Sequence, residues 1–100
     1  MPRVSLTAQG YLQLPAELAR QHFPSDLLVA LARGPELWLL PTRGPGAGGL
    51  LLKQRNAAGD RSVLVADLLP PGTPPGERPA FWDARSGALR VALSGDAKVG

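Results

Sequence analysis

The chain has 100 residues, of which 44% are hydrophobic and 19% charged, and this length and composition fit one small globular domain. Its net charge of +3 is too small to indicate nucleic-acid binding by itself. It has no cysteine, which excludes disulfides, thiolate nucleophiles and cysteine-based zinc sites. No apolar run approaches the ~18 residues of a membrane helix, so we expect no membrane partner. The N-terminal residues are not followed by the apolar run of a signal peptide, so we expect a cytoplasmic protein.

Two strands and a helix are predicted at the start of the chain. Apolar and polar residues alternate over residues 4–7 and 11–14, which is the period of a strand, and Gly10 permits a tight turn between them. Pro15 suits the first position of a helix, because its missing N–H needs no partner there. We therefore expect a short helix near residues 15–23.

A hairpin that is apolar on both faces is predicted next. The apolar runs 26–32 and 36–40 flank an Arg-Gly-Pro turn, and strands of this kind are buried on both sides. A unit of this size cannot cover both faces alone. Either the second half of the chain or a second subunit covers one face, so we expect a homodimer and take Leu28 and Trp38 as candidate protein-interface residues.

One combination of features resembles a known family. It comprises Val4 to Thr7, Gly10, the Leu12-Gln13-Leu14-Pro15 run, Glu17-Leu18, and the paired strands 27–32 and 37–40. With these features, residues 4–40 resemble the swapped-hairpin domains of the SpoVT/AbrB and MraZ families. The resemblance implies an intertwined dimer, and for many members it implies DNA binding as a regulator or antitoxin. Members that bind DNA usually have basic residues beside the turn glycine, where this chain has Gln9 and Tyr11, so the resemblance supports the scaffold more than DNA binding.

The segment after the Gly/Pro-rich linker 41–49 has two interpretations. Residues 50–58 are compatible with a helix, but we favour a hairpin with residues 60–68, closed by a turn at 56–59. The predicted hairpin places Leu50, Leu52, Leu64, Ala66 and Leu68 on one face and Lys53, Arg55, Arg61 and Val63 on the other.

The tip of this hairpin is the candidate surface for an anionic partner or DNA. Its basic residues, with one from the linker, are Arg43, Lys53, Arg55 and Arg61. In the predicted register Arg55 opposes Arg61 and Asn56 opposes Asp60. Like charges opposed across a hairpin repel, and an anionic partner would relieve that repulsion. The alternative is a solvated face on which Asp60 neutralises Arg61.

A proline-rich loop and a last hairpin complete the pattern. The prolines of residues 70–79 exclude regular structure, so an extended loop is expected there. Residues 80–83 and 88–93 then form a hairpin in which Arg90 stacks on Trp82 if the register allows. A tryptophan beside an arginine is a frequent interface anchor, so Trp82 and Arg90 are further candidate protein-interface residues, with a core position as the alternative for Trp82.

Catalytic chemistry is not indicated by the sequence. His22 is the only histidine and the carboxylates are scattered, so we predict no catalytic residue, no metal site and no cofactor. The predicted fold class is a mainly β, small antiparallel hairpin domain of six to seven strands with one short helix. The single domain over residues 1–100 is divided into a first half (1–40), a linker (41–49), two further hairpins (50–94) and a tail (95–100). We expect a non-enzymatic module that binds another protein as an accessory or regulatory factor; the alternative is a DNA-binding regulator or antitoxin of SpoVT/AbrB type.

Overall fold

Residues 3–42 and 49–93, described by a computed structural model, fold mainly into antiparallel strands of one sheet. In chain order the elements are β1 (Arg3–Leu6), β2 (Tyr11–Leu14), α1 (Ala16–His22), β3 (Leu27–Arg33), β4 (Glu36–Pro41), β5 (Leu50–Leu51), β6 (Lys53–Gln54), β7 (Arg61–Leu64), a 3₁₀ turn (Ala66–Leu68), β8 (Gly76–Asp83) and β9 (Ala88–Ala92). The predicted mainly β class with one short helix is confirmed. The nine strands exceed the predicted six to seven, and two of them, β5 and β6, come from a single short segment.

The sheet is nearly closed by that segment. Its strand order is β5-β3-β4-β9-β8-β1-β2-β7-β6, so the two outermost strands are neighbours in sequence. Leu50–Leu51 pairs with β3, whereas Lys53–Gln54 pairs with β7. Between them Leu52 points into the core, and its N–H donates to the carbonyl of Asp26 at 2.8 Å. Residues 50–54 therefore form strands, as we favoured over a helix, and join the two ends of the sheet.

The first hairpin and the helix lie where the sequence predicts them. Gly10 has φ +93°, and a Cβ at this position would overlap the Cβ of Ala66, so the β1–β2 turn requires glycine. Helix α1 begins directly after Pro15, whose carbonyl accepts the N–H of Ala19 at 3.0 Å. Phe23 follows the helix and is buried in the core. In this element local propensity and tertiary packing agree.

The apolar β3–β4 hairpin is flanked on both edges by the second half of the same chain. Strand β4 pairs with β9, and β3 pairs with β5. The inner residues Leu28, Leu37 and Leu39 are fully buried. The outer face remains at the surface, where Leu31 keeps 41% of its area exposed. The inner apolar face is therefore covered within the chain, by a core to which both halves contribute.

The predicted register of the 50–68 hairpin is wrong by one residue. Gln54, not Arg55, opposes Arg61, and the N–H of Arg55 donates to the carbonyl of Asp60 at 2.8 Å. The carboxylate of Asp60 fixes this register, because it accepts the N–H of Ala16 at 2.8 Å and the side-chain amide of Asn56 at 3.0 Å. A shift of one residue exchanges the two faces of a strand.

The exchange of faces is complete in β7. Val63, predicted on the basic face, is buried, whereas Leu64, predicted on the apolar face, is 50% exposed. The predicted continuation of this strand to residue 68 is also wrong, because Ala66–Leu68 forms the 3₁₀ turn. Arg55 and Arg61 do not oppose each other, so the predicted repulsion between them does not arise.

The proline-rich segment is also more regular than predicted. Strand β8 begins at Gly76, so residues 76–79 pair with β1 and residues 80–83 with β9. Pro79, which has no N–H to donate, lies where the partner changes. Arg78 is buried and donates to the carbonyls of Leu93, at 3.0 Å, and of Pro74. This side chain ties the loop to the end of β9. The one α-helix described, Ala16–His22, is too short to cross a membrane.

Candidate functional site

The outer side of strands β3, β4, β9 and β8 gathers aromatic and charged side chains, which we call the aromatic face. Its members are Leu31, Arg33, Glu36, Trp38, Phe81, Asp83 and Arg90. They meet because of the strand register: Trp38 lies opposite Leu31 on one side and Arg90 on the other, and Arg90 lies opposite Phe81. Side chains directly opposed on one face of a sheet are in contact distance.

Arg90 is the centre of the aromatic face. Its guanidinium carbon lies 4.8 Å from the ring centroid of Trp38 and 4.9 Å from that of Phe81. Arg33 lies 4.7 Å from the same Trp38 ring. Both arginines are within the range in which an aromatic face attracts a cation.

Two carboxylates hold Arg90 in this position. Glu36 lies 2.9 Å and Asp83 3.0 Å from its guanidinium nitrogens. Glu36 also accepts the indole N–H of Trp38 at 2.9 Å. Because hydrogen bonds to the two carboxylates favour its charged form, the pKa of Arg90 is raised. Arg90 is therefore held in a fixed position between the rings of Trp38 and Phe81, and its charge is compensated by the two carboxylates.

Asp83 is also held in place by a residue of the turn that follows β8. The Ser86 hydroxyl donates to its carboxylate at 2.6 Å. The pKa of Asp83 is lowered from 3.8 to about 2, and the hydrogen bond from Ser86 is the largest cause. The hydrogen bond from Arg90 is a further cause. The β8–β9 turn thus helps to position the aromatic face.

Two of the four predicted protein-interface residues, Trp38 and Arg90, are brought together. Arg90 does not stack on Trp82, because the register places Phe81 opposite Arg90 and turns Trp82 to the inner side. There Trp82 stacks on His22, with ring centroids 4.3 Å apart and an angle of 13° between the planes. Leu28 is fully buried in the core and cannot contact a partner.

Sequence reasoning missed the other five members of this face, which are Leu31, Arg33, Glu36, Phe81 and Asp83. Period-two alternation contained the signal, since Phe81 must lie on the side opposite to Trp82. Strand order was needed to place Phe81 and Trp38 on either side of Arg90, because β4 and β9 are far apart in the chain.

A second outer face, on strands β1, β2, β7 and β6, carries a row of polar side chains. Ser5, Gln13, Ser62 and Lys53 lie directly opposite one another on successive strands, and we call them the polar row. Arg3 and Arg55 line a depression of about 180 Å³ beside the row. Both have acidic partners: Arg3 lies 2.9 Å from Glu77, and Arg55 lies 3.9 Å from Asp60.

The predicted basic surface is only partly assembled. Lys53 and Arg55 lie on or beside the polar row, and Arg43 is outside the described residues. Arg61 points to the inner side next to α1, 3.0 Å from the carboxylate of Asp26. Asp26, and not Asp60 as predicted, is therefore the acidic partner of Arg61.

The described ranges 3–42 and 49–93 contain no group of three His, Asp or Glu side chains placed to hold a metal ion. Burial against Trp82 lowers the pKa of His22 below 6.5. Comparison with protein-family models, curated proteins and solved structures finds no match for the chain. The resemblance of residues 4–40 to SpoVT/AbrB and MraZ domains stays a prediction.

Proposed function

We propose that the protein is a non-enzymatic interaction module that binds another protein through the aromatic face, as an accessory or regulatory factor. The observation that supports the proposal is the arginine of β9, Arg90, held between the half-buried ring of Trp38 and the exposed ring of Phe81 by Glu36 and Asp83. Tryptophan and arginine are the residues most enriched among those that dominate binding energy at protein interfaces.

The rigidity of the aromatic face favours this role. A side chain that is already immobilised loses little conformational entropy when a partner binds. Arg90 has its ion pairs and ring contacts in place before any partner arrives. Phe81 and Leu31 are each 41% exposed and provide apolar area on either side of it.

Charge compensation on the aromatic face sets the character of the interaction. Glu36 and Asp83 offset Arg90, so long-range steering by charge contributes little here. We expect the partner to contribute apolar side chains and hydrogen-bond acceptors. The affinity should change little between low and physiological salt.

The first experiment identifies the partner. A photo-reactive amino acid in place of Leu31 cross-links whatever occupies the aromatic face in cells, and mass spectrometry identifies it. The purified partner is then titrated calorimetrically into the wild-type chain and two variants. Phe81→Ser should weaken binding at least tenfold, whereas Tyr11→Ser, which alters an aromatic residue of equal exposure on the other face, should leave it unchanged.

The proposal fails if Phe81→Ser and Tyr11→Ser have equal effects, or if the Leu31 position cross-links to no protein. The predicted homodimer is examined in the same way. Light scattering that gives twice the 10.5 kDa chain mass for the wild type, and the chain mass for Phe81→Ser, identifies a second copy as the occupant.

A nucleic-acid function is the second candidate, and the polar row with Lys53 and Arg55 is the observation that favours it. Phosphate contacts make such binding strongly salt-dependent. Anisotropy of a labelled duplex at increasing salt tests it, with Lys53→Ala and Arg55→Ala expected to reduce affinity and salt slope. Arg85→Ala, at the exposed β8–β9 turn, is the matched control. Arg61→Ala is unsuitable, because it breaks the contact with Asp26.

A further inference from the structure

The gap where the sheet closes forms an apolar groove, which we call the seam groove. It consists of two depressions, of about 370 Å³ and 240 Å³, that share Leu50 and Leu64. Three of the most exposed large apolar side chains border the smaller one: Leu51 at 52%, Leu64 at 50% and Tyr11 at 41%. Clustered apolar exposure of this kind marks a binding surface more often than isolated residues do.

The groove arises from incomplete pairing at the seam. The ladder between β6 and β7 ends at the Lys53–Ser62 pair, and β5 pairs with β3 instead. Strands β5 and β7 run side by side with Cα atoms within 8 Å but share no ladder among the described residues. Their outward side chains, Leu51 and Leu64, therefore each have a paired strand on one side only.

Opposite charges stand at the two ends of the seam groove. Lys53 lines the smaller depression, and Asp67 lines the larger one. Within residues 3–42 and 49–93 neither of them makes an ion pair, whereas Arg3, Arg55, Arg61 and Arg90 all do. The groove thus offers an apolar floor with a cation at one end and an anion at the other.

We propose that the seam groove binds an extended peptide segment of a partner protein, with apolar side chains in the groove, an acidic side chain at Lys53 and a basic side chain at Asp67. Charge complementarity selects this occupant. A fatty acid carries one charged end and would lay its tail against Asp67, which desolvates that carboxylate without a partner. A peptide satisfies both ends.

The dimensions define the peptide. From Ser62, which opposes Lys53, to Asp67 the chain advances three strand residues and part of a 3₁₀ turn, on the order of 14 Å. An extended peptide covers that span with its acidic and basic residues about four positions apart. An inserted strand would need about 9.5 Å between its two neighbours, more than the separation of β5 and β7. Recognition therefore rests on side chains and not on a new strand.

Fluorescence anisotropy with labelled, capped pentapeptides tests the inference on the full chain. The peptide Glu-Leu-Val-Leu-Lys should bind weakly, with a dissociation constant on the order of 100 µM. Its backbone N-methylated form should bind equally well. Glu-Ser-Thr-Ser-Lys should bind at least tenfold more weakly, because it lacks the apolar side chains.

Variants of the chain locate the site. Leu64→Ser, at a half-exposed position that the fold tolerates, should weaken binding at least tenfold. Lys53→Glu should weaken binding of the Glu-Leu-Val-Leu-Lys peptide and favour Lys-Leu-Val-Leu-Lys instead. Phe81→Ser alters only the aromatic face and should have no effect, so this result is independent of the proposed function.

Three outcomes overturn the inference: no binding of the apolar peptide to the wild-type chain, equal binding of the Ser-Thr-Ser peptide, or an unchanged charge preference in Lys53→Glu. A loss of binding on N-methylation would show that backbone pairing, and therefore opening of the seam, is required, and would overturn the side-chain mode proposed here.

Discussion

The two hairpins of the first half differ in sequence pattern and in the way the fold uses them. The β1–β2 hairpin packs its turn against the 3₁₀ turn at Ala66 and presents Ser5, Gln13 and Tyr11 outward. The β3–β4 hairpin leaves its turn at Gly34 in solvent and presents Leu31 and Trp38 outward. One turn is therefore packed into the core architecture, whereas the other is exposed and is held to the end of β9 by one bond, from the N–H of Leu93 to the carbonyl of Pro35 at 2.9 Å.

The two outer faces differ in residue type and also in how firmly their arginines are held. Each face carries arginines. On the polar side Arg55 meets Asp60 at 3.9 Å, a long and exposed contact, whereas on the aromatic side Arg90 has two carboxylates within 3.0 Å and two rings beside it. Only the second arrangement fixes the position of its arginine.

The largest expected effect separates the two turns. Gly10→Ala places a Cβ on Ala66 at φ +93°, and we expect a loss of about 3 kcal/mol in the free energy of unfolding. Gly34→Ala at φ +57° has no atom within 4 Å of the new Cβ, and the left-handed backbone alone should cost about 1 kcal/mol. Urea unfolding of both variants measures the difference. Equal losses would show that the Gly10 turn is not packed as described.

A smaller effect separates the two arginines. Arg90→Ala leaves both Glu36 and Asp83 without the cation that pairs with them, so the urea midpoint should fall. Arg55→Ala removes one long, exposed ion pair and should hardly move the midpoint. Urea unfolding of the two variants measures the difference between their midpoints, with Arg85→Ala as a surface control. A midpoint that is the same for Arg90→Ala and Arg55→Ala contradicts a fixed aromatic face.

Local sequence patterns predicted the elements of the fold but not their neighbours. The β1–β2 hairpin and α1 follow from alternation, Gly10 and Pro15, and the β3–β4 hairpin follows from two apolar runs around an Arg-Gly-Pro turn; all of these signals act over a few residues. The register of the 50–68 hairpin depends on the bond from Ala16 to Asp60, a contact over 44 residues that no local pattern encodes. The pairing of β4 with β9, which assembles Trp38 and Arg90, is equally non-local. Candidate residues were therefore found singly, and their grouping required the fold.

The free energy of unfolding at acidic pH should depend on Asp83 of the aromatic face. The folded state lowers the pKa of Asp83 from 3.8 to about 2, so its contribution is fully present above 3.8 and is lost as the pH falls towards 2. In Asp83→Asn the unfolding free energy should therefore fall less over this window than in the wild type. Asp67→Asn, at a carboxylate without an ion pair in the described chain, serves as control. A wild-type slope in Asp83→Asn would show that the bonds from Ser86 and Arg90 do not hold in solution.

The smallest signal compares the two tryptophans, one on each side of the sheet. Trp82 stacks on His22 at 4.3 Å on the inner side, whereas Trp38 lies under arginines on the outer side. Burial disfavours the imidazolium and lowers the pKa of His22, so stability should fall slightly as the pH drops below 6.5. A protonated imidazole quenches a stacked indole, so fluorescence should decrease with a midpoint below 6.5. The transition should persist in Trp38→Phe and vanish in both Trp82→Phe and His22→Gln. If it vanished in Trp38→Phe instead, the outer tryptophan would be the one near a titrating group, and the assignment of inner and outer sides to β8 would be reversed.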